Sequence, residues 1–183
     1  MNRVKKNKLV FTLFLLFYGV FSFLLFYLTK SFLISVFFLV LLFLPGRILA
    51  SAWENFFNGK IHMTNKDLDK AIDSFHTFLK DLDKKPGLKN LEWLIFGLYT
   101  KDAEAMTFNN LGSAFLQKKE LETAEQYFQK AAEKDPLYPI PYFNLAILKA
   151  LKKNKEESET FFNKAVFLGY KKSNFESFYK KIP

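Results

Sequence analysis

The stretch NNLGSAFLQKKELETAEQYFQKAAEKDP, residues 109–136, determines the fold of this chain. Apolar residues in each half recur at the three- and four-residue spacing of one helix face, and the polar QKKE separates the halves. Asp135 precedes Pro136, and a proline disfavours helical geometry in the residue before it, so the second helix ends here. The stretch predicts two helices joined by a short turn, with small residues at Gly112 and Ala124 where the helices approach each other.

The same pattern returns 34 residues further along the chain. The coinciding pairs are Phe108 with Tyr142, Asn110 with Asn144, Leu111 with Leu145, Gly112 with Ala146, Phe128 with Phe162 and Ala131 with Ala165. A fixed period of this length indicates an array of stacked helix pairs, because one pair cannot bury its apolar face alone.

These residues resemble the tetratricopeptide repeat (TPR) family. Eight residues match that family's repeat pattern and are assigned to packing within and between helix pairs: Phe108, Leu111, Gly112, Phe115, Ala124, Phe128, Ala131 and Pro136. In the next repeat the packing positions are Tyr142, Leu145, Ala146, Phe162 and Ala165, whereas Lys149, Ser158 and Tyr170 depart from the pattern. The resemblance implies an all-α fold, a TPR-like α-solenoid of about three helix pairs with a C-terminal capping helix.

The repeats are expected at about 52–85, 105–138 and 139–172, with the cap at 173–182, which places a TPR-like domain at 51–183. In the weaker first repeat, Gly59, Ala71 and Phe75 take pattern positions, and Phe78 takes the last small-residue position. Its first helix is predicted at 52–63 and its second at 66–82.

An insertion separates the first repeat from the second. It includes LKNLEWLIFGLYT (88–100), which is apolar nearly all round and predicts an extra helix packed between repeats. The alternative is an interfacial element, with Trp93 and Tyr99 at the depth of lipid headgroups.

Residues 1–50 read as a transmembrane helical hairpin with spans at about 9–28 and 31–49. The first run, Leu9 to Leu28, has no charge and is long enough for the ~30 Å hydrocarbon core of a bilayer. Pro45-Gly46 is expected to end the second helix. Four basic residues precede the first run and Lys30 alone lies at the turn, which favours a cytoplasmic N-terminus. The prediction is an integral membrane protein, of the bacterial inner membrane, with both termini and the repeats cytoplasmic.

The competing interpretation is a secretion signal. The sequence ASA at 50–52 has the form of a cleavage site, and residues 32–44 have the length of a signal's apolar region. The additional apolar run upstream and Arg47 before the site weigh against cleavage. If cleavage occurs, the product is an exported soluble TPR protein.

Charge and composition argue against several classes of function. None of the 18 acidic residues and six of the 27 basic ones lie in residues 1–49, so the excess charge flanks the apolar runs and a nucleic-acid partner is not expected. The chain has no cysteine, no glycine-rich phosphate loop and no histidine–carboxylate cluster. We therefore expect no catalytic residue, metal, cofactor or small-molecule substrate, and the chain is not predicted to be an enzyme.

The TPR resemblance implies that partners bind on the concave face, which is lined by residues of the first helix in each pair. The candidate groove residues are Met106, Asn109, Asn110, Ser113, Leu116, Ile140, Phe143, Asn144, Ile147 and Ala150. TPR domains that clamp acidic chaperone tails carry Lys, Asn and Arg at positions that correspond here to Phe56, Lys60, Asn110, Ile140 and Asn144. Of these residues, only Asn110 is the type that the clamp has at that particular position. The comparison therefore argues against an acidic tail as partner and favours an apolar or amphipathic peptide. The alternative is that residues around Phe175 and Phe178 fill this surface in the free protein.

The sequence predicts a membrane-anchored adaptor, scaffold or assembly factor whose partners are a protein or peptide and the lipid bilayer. The rival interpretation is a structural subunit of a larger membrane complex, in which the hairpin is the main functional contact and the repeats only pack against neighbours.

Overall fold

A computed structural model describes residues 2–41, 43–94, 99–171 and 174–182. The described residues form an all-α chain. Its α-helices are α1 (Arg3–Thr29), α2 (Phe32–Leu41), α3 (Leu44–Ala52), α4 (Glu54–Thr64), α5 (Leu68–Lys84), α6 (Ala103–Gln117), α7 (Leu121–Lys134), α8 (Pro139–Leu151), α9 (Lys155–Leu168) and α10 (Phe175–Tyr179), and a 3₁₀ helix covers Pro86–Leu94.

The longest helix, α1, is the candidate membrane span. The side chain of Asn2 accepts a hydrogen bond from the backbone N–H of Lys5 and caps its start, and Lys30 in a left-handed conformation ends it. Its 27 residues extend about 40 Å at 1.5 Å per residue. Its most apolar window has a mean hydropathy of 2.5, and only 6% of that window is buried. Among the described residues it is the one helix long and apolar enough to cross a bilayer.

The second apolar run differs from the prediction of one helix over 31–49. It forms two helices instead: α2 ends at Leu41, and α3 begins at Leu44. Pro45 and Gly46, expected to end a helix, lie instead in the first turn of α3. A proline is tolerated there because the first N–H groups of a helix have no intrahelical partner. The rings of Phe21 in α1 and Phe38 in α2 meet edge to face, with centroids 5.7 Å apart.

Three helix pairs stack in the rest of the chain: α4 with α5, α6 with α7, and α8 with α9. In the first two pairs a glycine faces a phenylalanine ring. A Cβ atom added at Gly59 would lie 2.6 Å from Cε1 of Phe75, and one added at Gly112 would lie 2.6 Å from Cε1 of Phe128. The crossing of the helices therefore leaves no room for a side chain at either glycine.

The turns inside the three pairs share one conformation. Lys66, Lys119 and Lys153 have φ of 63°, 64° and 58°, in the left-handed region. The residue after each lysine donates its backbone N–H to the carbonyl five residues earlier, at 2.9 Å in all three turns. This is the hydrogen-bond pattern that closes the C-terminus of a helix with a left-handed residue, so each pair reverses direction in the same way.

The residues assigned to repeat packing lie mostly in the interior. Leu111, Gly112, Ala124, Phe128, Ala131, Leu145, Ala146, Phe162 and Ala165 are buried, Phe108, Phe115 and Tyr142 are half-buried, and Pro136 is exposed. The ring of Phe115 is parallel to that of Tyr127, at a centroid distance of 5.4 Å.

Two of the residues that depart from the repeat pattern have polar roles. Lys149 in α8 forms ion pairs with Glu125 of α7, at 2.8 Å, and with Glu157 of α9. Ser158 is fully buried and its hydroxyl donates to the carbonyl of Ala146 at 2.8 Å. At these two positions, polar contacts between neighbouring helices thus stand where the repeat pattern has apolar packing.

Over its described residues, the insertion between the first two pairs differs from the extra helix predicted for 88–100. Residues 86–94 form the 3₁₀ helix, and Leu88 and Leu91 pack against the core of the first pair. Residues 95–98 and the side chain of Trp93 lie outside the described residues. The proposed headgroup contact of Trp93 is therefore not described, and Tyr99 is half-buried.

The capping helix is shorter than the predicted 173–182, since α10 covers only Phe175–Tyr179. Asn174 caps its start by accepting a hydrogen bond from the backbone N–H of Ser177. Phe175 is buried, and its ring lies 5.5 Å from that of Phe162 in α9. The last apolar face of the stack is therefore covered by the chain's own C-terminal segment.

The first turn of α1 contacts the repeats. Both terminal nitrogens of Arg3 donate to the carboxylate of Asp135, at 2.8 and 2.7 Å, and the hydroxyl of Thr100 donates to the same carboxylate. Val4 is only 2% exposed. A Cβ atom added at Gly169 would lie 3.0 Å from Cβ of Val4. The start of α1 is thus closely packed against the loop after α7 and the end of α9.

Candidate partner-binding groove

A cavity of about 240 Å³ opens beside the first two helix pairs. We call it the groove, and it is lined by Leu49, Trp53, Phe56, Phe57, Lys60, Met106, Asn110 and Tyr138. These residues come from α3, the junction of α3 and α4 at Trp53, α4, α6 and the loop before α8. Its volume lies below the ~300–1,000 Å³ of typical small-molecule sites, so the groove suits one or two apolar side chains better than a whole metabolite.

The floor of the groove is a fixed aromatic cluster. Trp53 is 1% exposed, and its Nε1 donates a hydrogen bond to the carbonyl of Leu88 at 3.1 Å. Its ring lies 5.8 Å from that of Phe56 and 5.2 Å from that of Phe78. Buried rings in contact on several sides hold their positions. The apolar surface that a partner would meet is therefore formed before binding.

Two polar side chains lie among these apolar walls. The ammonium of Lys60 sits 6.0 Å from the centre of the Phe56 ring, and no carboxylate of a described residue pairs with it. The amide of Asn110 makes no hydrogen bond within the described part of the chain. An unpaired cation and a free amide can orient an incoming peptide, by attracting a carboxylate and by bonding its backbone.

Tyr138 contributes a neutral wall. It is 5% exposed, and burial, with a smaller contribution from the nearby Asp135 carboxylate, raises the pKa of its phenol far above the ordinary value. The phenol therefore stays protonated at any physiological pH, and among the described residues that line the groove Lys60 alone is charged.

Only part of the groove predicted from the sequence lies in this cavity. Met106 and Asn110 line it, but Asn109 is 5% exposed and accepts a hydrogen bond from the side-chain amide of Asn144 at 2.9 Å. That bond joins α6 to α8. Ser113, Leu116, Ile140, Asn144 and Ile147 are half-buried, and Ala150 is buried.

Phe143 is in contact with the C-terminal segment. Its ring stacks on that of Tyr170 at 4.2 Å and lies 5.3 Å from that of Phe178. This is the arrangement of the alternative considered above, in which the chain's own C-terminal residues cover this surface. A partner that bound Phe143 would have to displace Tyr170 and α10.

The sequence analysis did not assign the first repeat's residues to the groove, although the sequence held a signal for them. In the first repeat, the positions equivalent to Met106 and Asn109 are Trp53 and Phe56, and Lys60 is equivalent to Ser113. Applying the concave-face positions to this repeat would have found three lining residues. Leu49 and Tyr138 lie outside any repeat helix position, and only the packing of α3 and α8 brings them to the groove.

Within the described ranges, no group of three or more His, Cys, Asp or Glu side chains is placed to hold a metal ion. The histidines lie apart, and His76 contacts Tyr127 at 3.3 Å. Burial, followed by the charge of Lys80, lowers the pKa of His76, so its imidazole is neutral near pH 7.

No curated protein is significantly similar to the chain. Residues 107–136, which cover most of α6 and all of α7, match the family of the tetratricopeptide repeat. TPR units are typically interaction modules without catalytic activity. The match and the stack of helix pairs together support a tetratricopeptide repeat protein with an all-α, TPR-like solenoid.

Proposed function

We propose that this chain is a membrane-anchored interaction module, an adaptor or assembly factor, which binds an apolar segment of a protein partner in the groove. The observation that carries the proposal is a preformed apolar cavity with one unpaired cation at its wall. A preorganised pocket costs little ordering on binding, and one buried apolar anchor often contributes more than ~2 kcal/mol to an interface.

The anchor would be α1 together with α2 and α3. A helix in the core of a soluble protein is mostly buried, whereas 94% of the apolar window of α1 is not, and its exposed surface includes Phe17, Val20 and Phe23. Since the first turn of α1 contacts the repeats, its start and the repeats lie on one side of any membrane that it crosses. The chain must then return before α4, which α2 and α3 would accomplish.

Retention of the N-terminal segment is also supported by its contacts. Leu49 is buried in the core of the first helix pair, and Arg3 pairs with Asp135. Cleavage after Ala52 would remove both and leave a carboxylate with 10% exposed side-chain surface without its cation. Intact mass measurement of the membrane-extracted protein tests this, and a mass that lacks residues 1–52 would overturn the anchor.

The topology is tested with reporters fused to the C-terminus. A reporter active only in the cytoplasm should work, and one active only after export should not. The reverse pattern would place the repeats on the other side of the membrane.

Occupation of the groove is tested by a filling substitution. A photocrosslinking amino acid at Lys60 should form one adduct of defined mass in native membranes, and Asn110→Trp in the same chain should abolish it by filling the cavity. Gln126→Trp, on the exposed face of α7, is the matched control. An adduct that survives Asn110→Trp while the protein stays folded shows that the partner binds elsewhere.

The second candidate, a structural subunit of a membrane complex, is favoured by one feature of the membrane segment. A cavity of about 310 Å³ lies between α1 and α2, bordered by Phe14, Phe21 and Phe38. The hydroxyl of Tyr18, in its wall, is buried without a hydrogen-bond partner among the described residues. An unsatisfied hydroxyl in hydrocarbon favours a polar partner on a neighbouring helix. If this candidate holds, the protein should elute in detergent as one defined complex that Tyr18→Phe weakens and Asn110→Trp does not.

A further inference from the structure

A second cavity, of about 400 Å³, lies where the start of α1 meets the last helix pair. Lys5 and Lys8 of α1 line one side, and Tyr170 and Lys171, after α9, line the other. Tyr99 completes the wall. No acidic side chain among the described residues lines this cavity. We call it the basic cavity.

The two sides of the basic cavity are held together by contacts that do not use its lysines. Arg3, two residues before Lys5, is fixed by both oxygens of Asp135. Asn2 and Val4 pack so closely on Gly169 that a Cβ atom there would lie 2.8 Å from the side-chain nitrogen of Asn2. Gly169 has φ of 106°, so the tight contact occurs at a backbone conformation that glycine favours. The cavity is therefore part of the folded structure, and no ligand is needed to form it.

The lysines of the basic cavity have no internal counter-charge. Within the described part of the chain, the ammonium groups of Lys5, Lys8 and Lys171 form no ion pair with a carboxylate. Other lysines, such as Lys89, Lys134 and Lys149, do pair with carboxylates. The lysines of the basic cavity share the lack of a counter-charge among the described residues with other lysines such as Lys60, but three of them line one cavity. Three like charges around one cavity repel one another unless an anion binds between them. The neighbouring cavity around Arg3 is different, because two carboxylates, Asp102 and Asp135, line it together with its three cations.

The depth of the basic cavity, if α1 crosses the bilayer as proposed, indicates which anion would be near it. The uncharged run of α1 starts at Leu9, so at 1.5 Å per residue Lys8 and Lys5 lie about 1.5 and 6 Å outside the apolar segment. The headgroup layer on each side of the ~30 Å hydrocarbon core is about 5–7 Å thick. If α1 crosses the bilayer as proposed, the backbone positions of both lysines lie within this headgroup layer, where lipid phosphates are in reach of their side chains. Tyr99 and Tyr170 add the aromatic side chains that are enriched at this depth.

We propose that the basic cavity binds the phosphate of an anionic lipid headgroup, held by Lys5 and Lys8 of α1 and by Lys171 of the repeats. The proposal rests on the membrane insertion of α1 proposed above. It assigns the cavity a role beyond anchoring, because a lipid bound between α1 and α9 links the membrane surface to the repeat domain. Basic pockets of this kind beside membrane helices take phosphorylated headgroups.

The test titrates phosphatidylglycerol into the full-length protein in neutral detergent micelles and measures binding by native mass spectrometry. Phosphatidylcholine with the same acyl chains is the lipid control. A charge-assisted hydrogen bond contributes ~1.5–3 kcal/mol, so Lys171→Gln and Lys8→Gln should each weaken phosphatidylglycerol binding about tenfold or more. Lys6→Gln is the matched control, since Lys6 lies on the same turn of α1, carries the same charge and does not line the cavity.

Three outcomes overturn the proposal. Equal weakening by Lys6→Gln and Lys8→Gln would mean that binding reflects diffuse surface charge. Equal binding of the two lipids would mean that no anionic headgroup is recognised. Inorganic phosphate that displaces phosphatidylglycerol at equal concentration would assign the cavity to a soluble phosphate instead of a lipid.

Failure of the site and failure of the membrane anchor are told apart by alkaline extraction of membranes. One outcome is that the chain stays in the membrane pellet while Lys8→Gln and Lys171→Gln leave lipid binding unchanged. That result would refute the lipid site but not the membrane anchor. A chain released into the supernatant refutes the anchor itself. Thermal unfolding of each variant confirms that the exposed lysines were replaced without loss of the fold.

Discussion

Gly112→Ala is the sharpest test of how the helix pairs pack. An added Cβ atom would lie 2.6 Å from both Cδ1 and Cε1 of Phe128, well inside van der Waals contact. The Phe128 ring is 0% exposed and cannot move into solvent. The new methyl group must therefore push α6 and α7 apart or force the ring from its position.

The expected loss of stability follows from two opposing effects. Replacing glycine inside a helix gains about 1 kcal/mol from helix propensity. Overpacking a filled interior costs about 1–3 kcal/mol. Gly112→Ala should therefore lower the free energy of unfolding by up to about 2 kcal/mol, and each kcal/mol corresponds to about 2–4 °C in Tm for a chain of this size.

A double-mutant cycle with Phe128→Leu isolates the clash. Against the smaller leucine the methyl group has room, so Gly112→Ala should become neutral or stabilising, with a coupling of about 1–3 kcal/mol. The assay is thermal unfolding of the full-length protein in detergent, followed by far-UV circular dichroism. Gly46→Ala is the control, because nothing lies within 4 Å of its added Cβ. If Gly112→Ala has the same effect in both backgrounds, the contact with the ring is not what excludes a side chain.

Further outcomes are expected from the turns and ion pairs, with unfolding as the measurement. Lys119→Gly should stabilise by about 0.5–1 kcal/mol, because a left-handed conformation is costly for any residue with a Cβ; Lys130→Gly, inside α7, should destabilise by about 1 kcal/mol. Lys149→Met should cost about 1–2 kcal/mol, since Glu157 loses its cation and Glu125 keeps only Lys152; a shift within roughly 0.5 kcal/mol would show that these pairs contribute nothing. Burial raises the pKa of Asp135, but the hydrogen bonds from Arg3 and the Thr100 hydroxyl outweigh it and hold that pKa below its ordinary value. A lowered pKa contributes stability that is fully present above the unfolded value, about pH 4, and is lost as the pH falls through the folded value, so the destabilisation by Asp135→Asn should be largest at about pH 7 and shrink as the pH falls below about 4; an effect that does not change with pH would rule out the carboxylate's charge as the cause.

The repeat architecture was predictable because its signals are local and periodic. Gly112 and Phe128 are 16 residues apart, as are Gly59 and Phe75, and each such pair meets within one helix pair. The first two repeats start 53 residues apart instead of 34, which made the first repeat harder to recognise but did not prevent its prediction. Small and aromatic residues at fixed spacing therefore carry the fold even where an insertion interrupts the period.

Other features of the structure could not be predicted from the repeat pattern. Lys119 gives no sign of a left-handed conformation, since lysine is not a residue type that favours it. Lys149 and Ser158 looked like losses from the repeat, whereas their polar partners lie on helices that only the fold brings near. The contact of Arg3 with Asp135 spans 132 residues of sequence, and no local signal announces it. Apolar periodicity predicts which face of a helix is buried, but not which charged residues meet.

The position of the groove relative to α1 and α3 bears on the kind of partner proposed above. Leu49 of α3 lines the groove and Arg3 of α1 is fixed to the repeats. The N-terminal segment is thus attached to the repeat stack near both ends of the segment. Two attachments restrict the rotation of the stack that a single flexible linker would allow. If α1 crosses the bilayer as proposed, the groove is held close to the membrane surface and its opening cannot turn freely toward the solvent. A partner would then reach it most readily with a segment that is itself near the membrane, such as the region next to a transmembrane helix. The apolar floor around Trp53 and the cation of Lys60 match such a segment when it pairs an apolar side chain with a carboxylate.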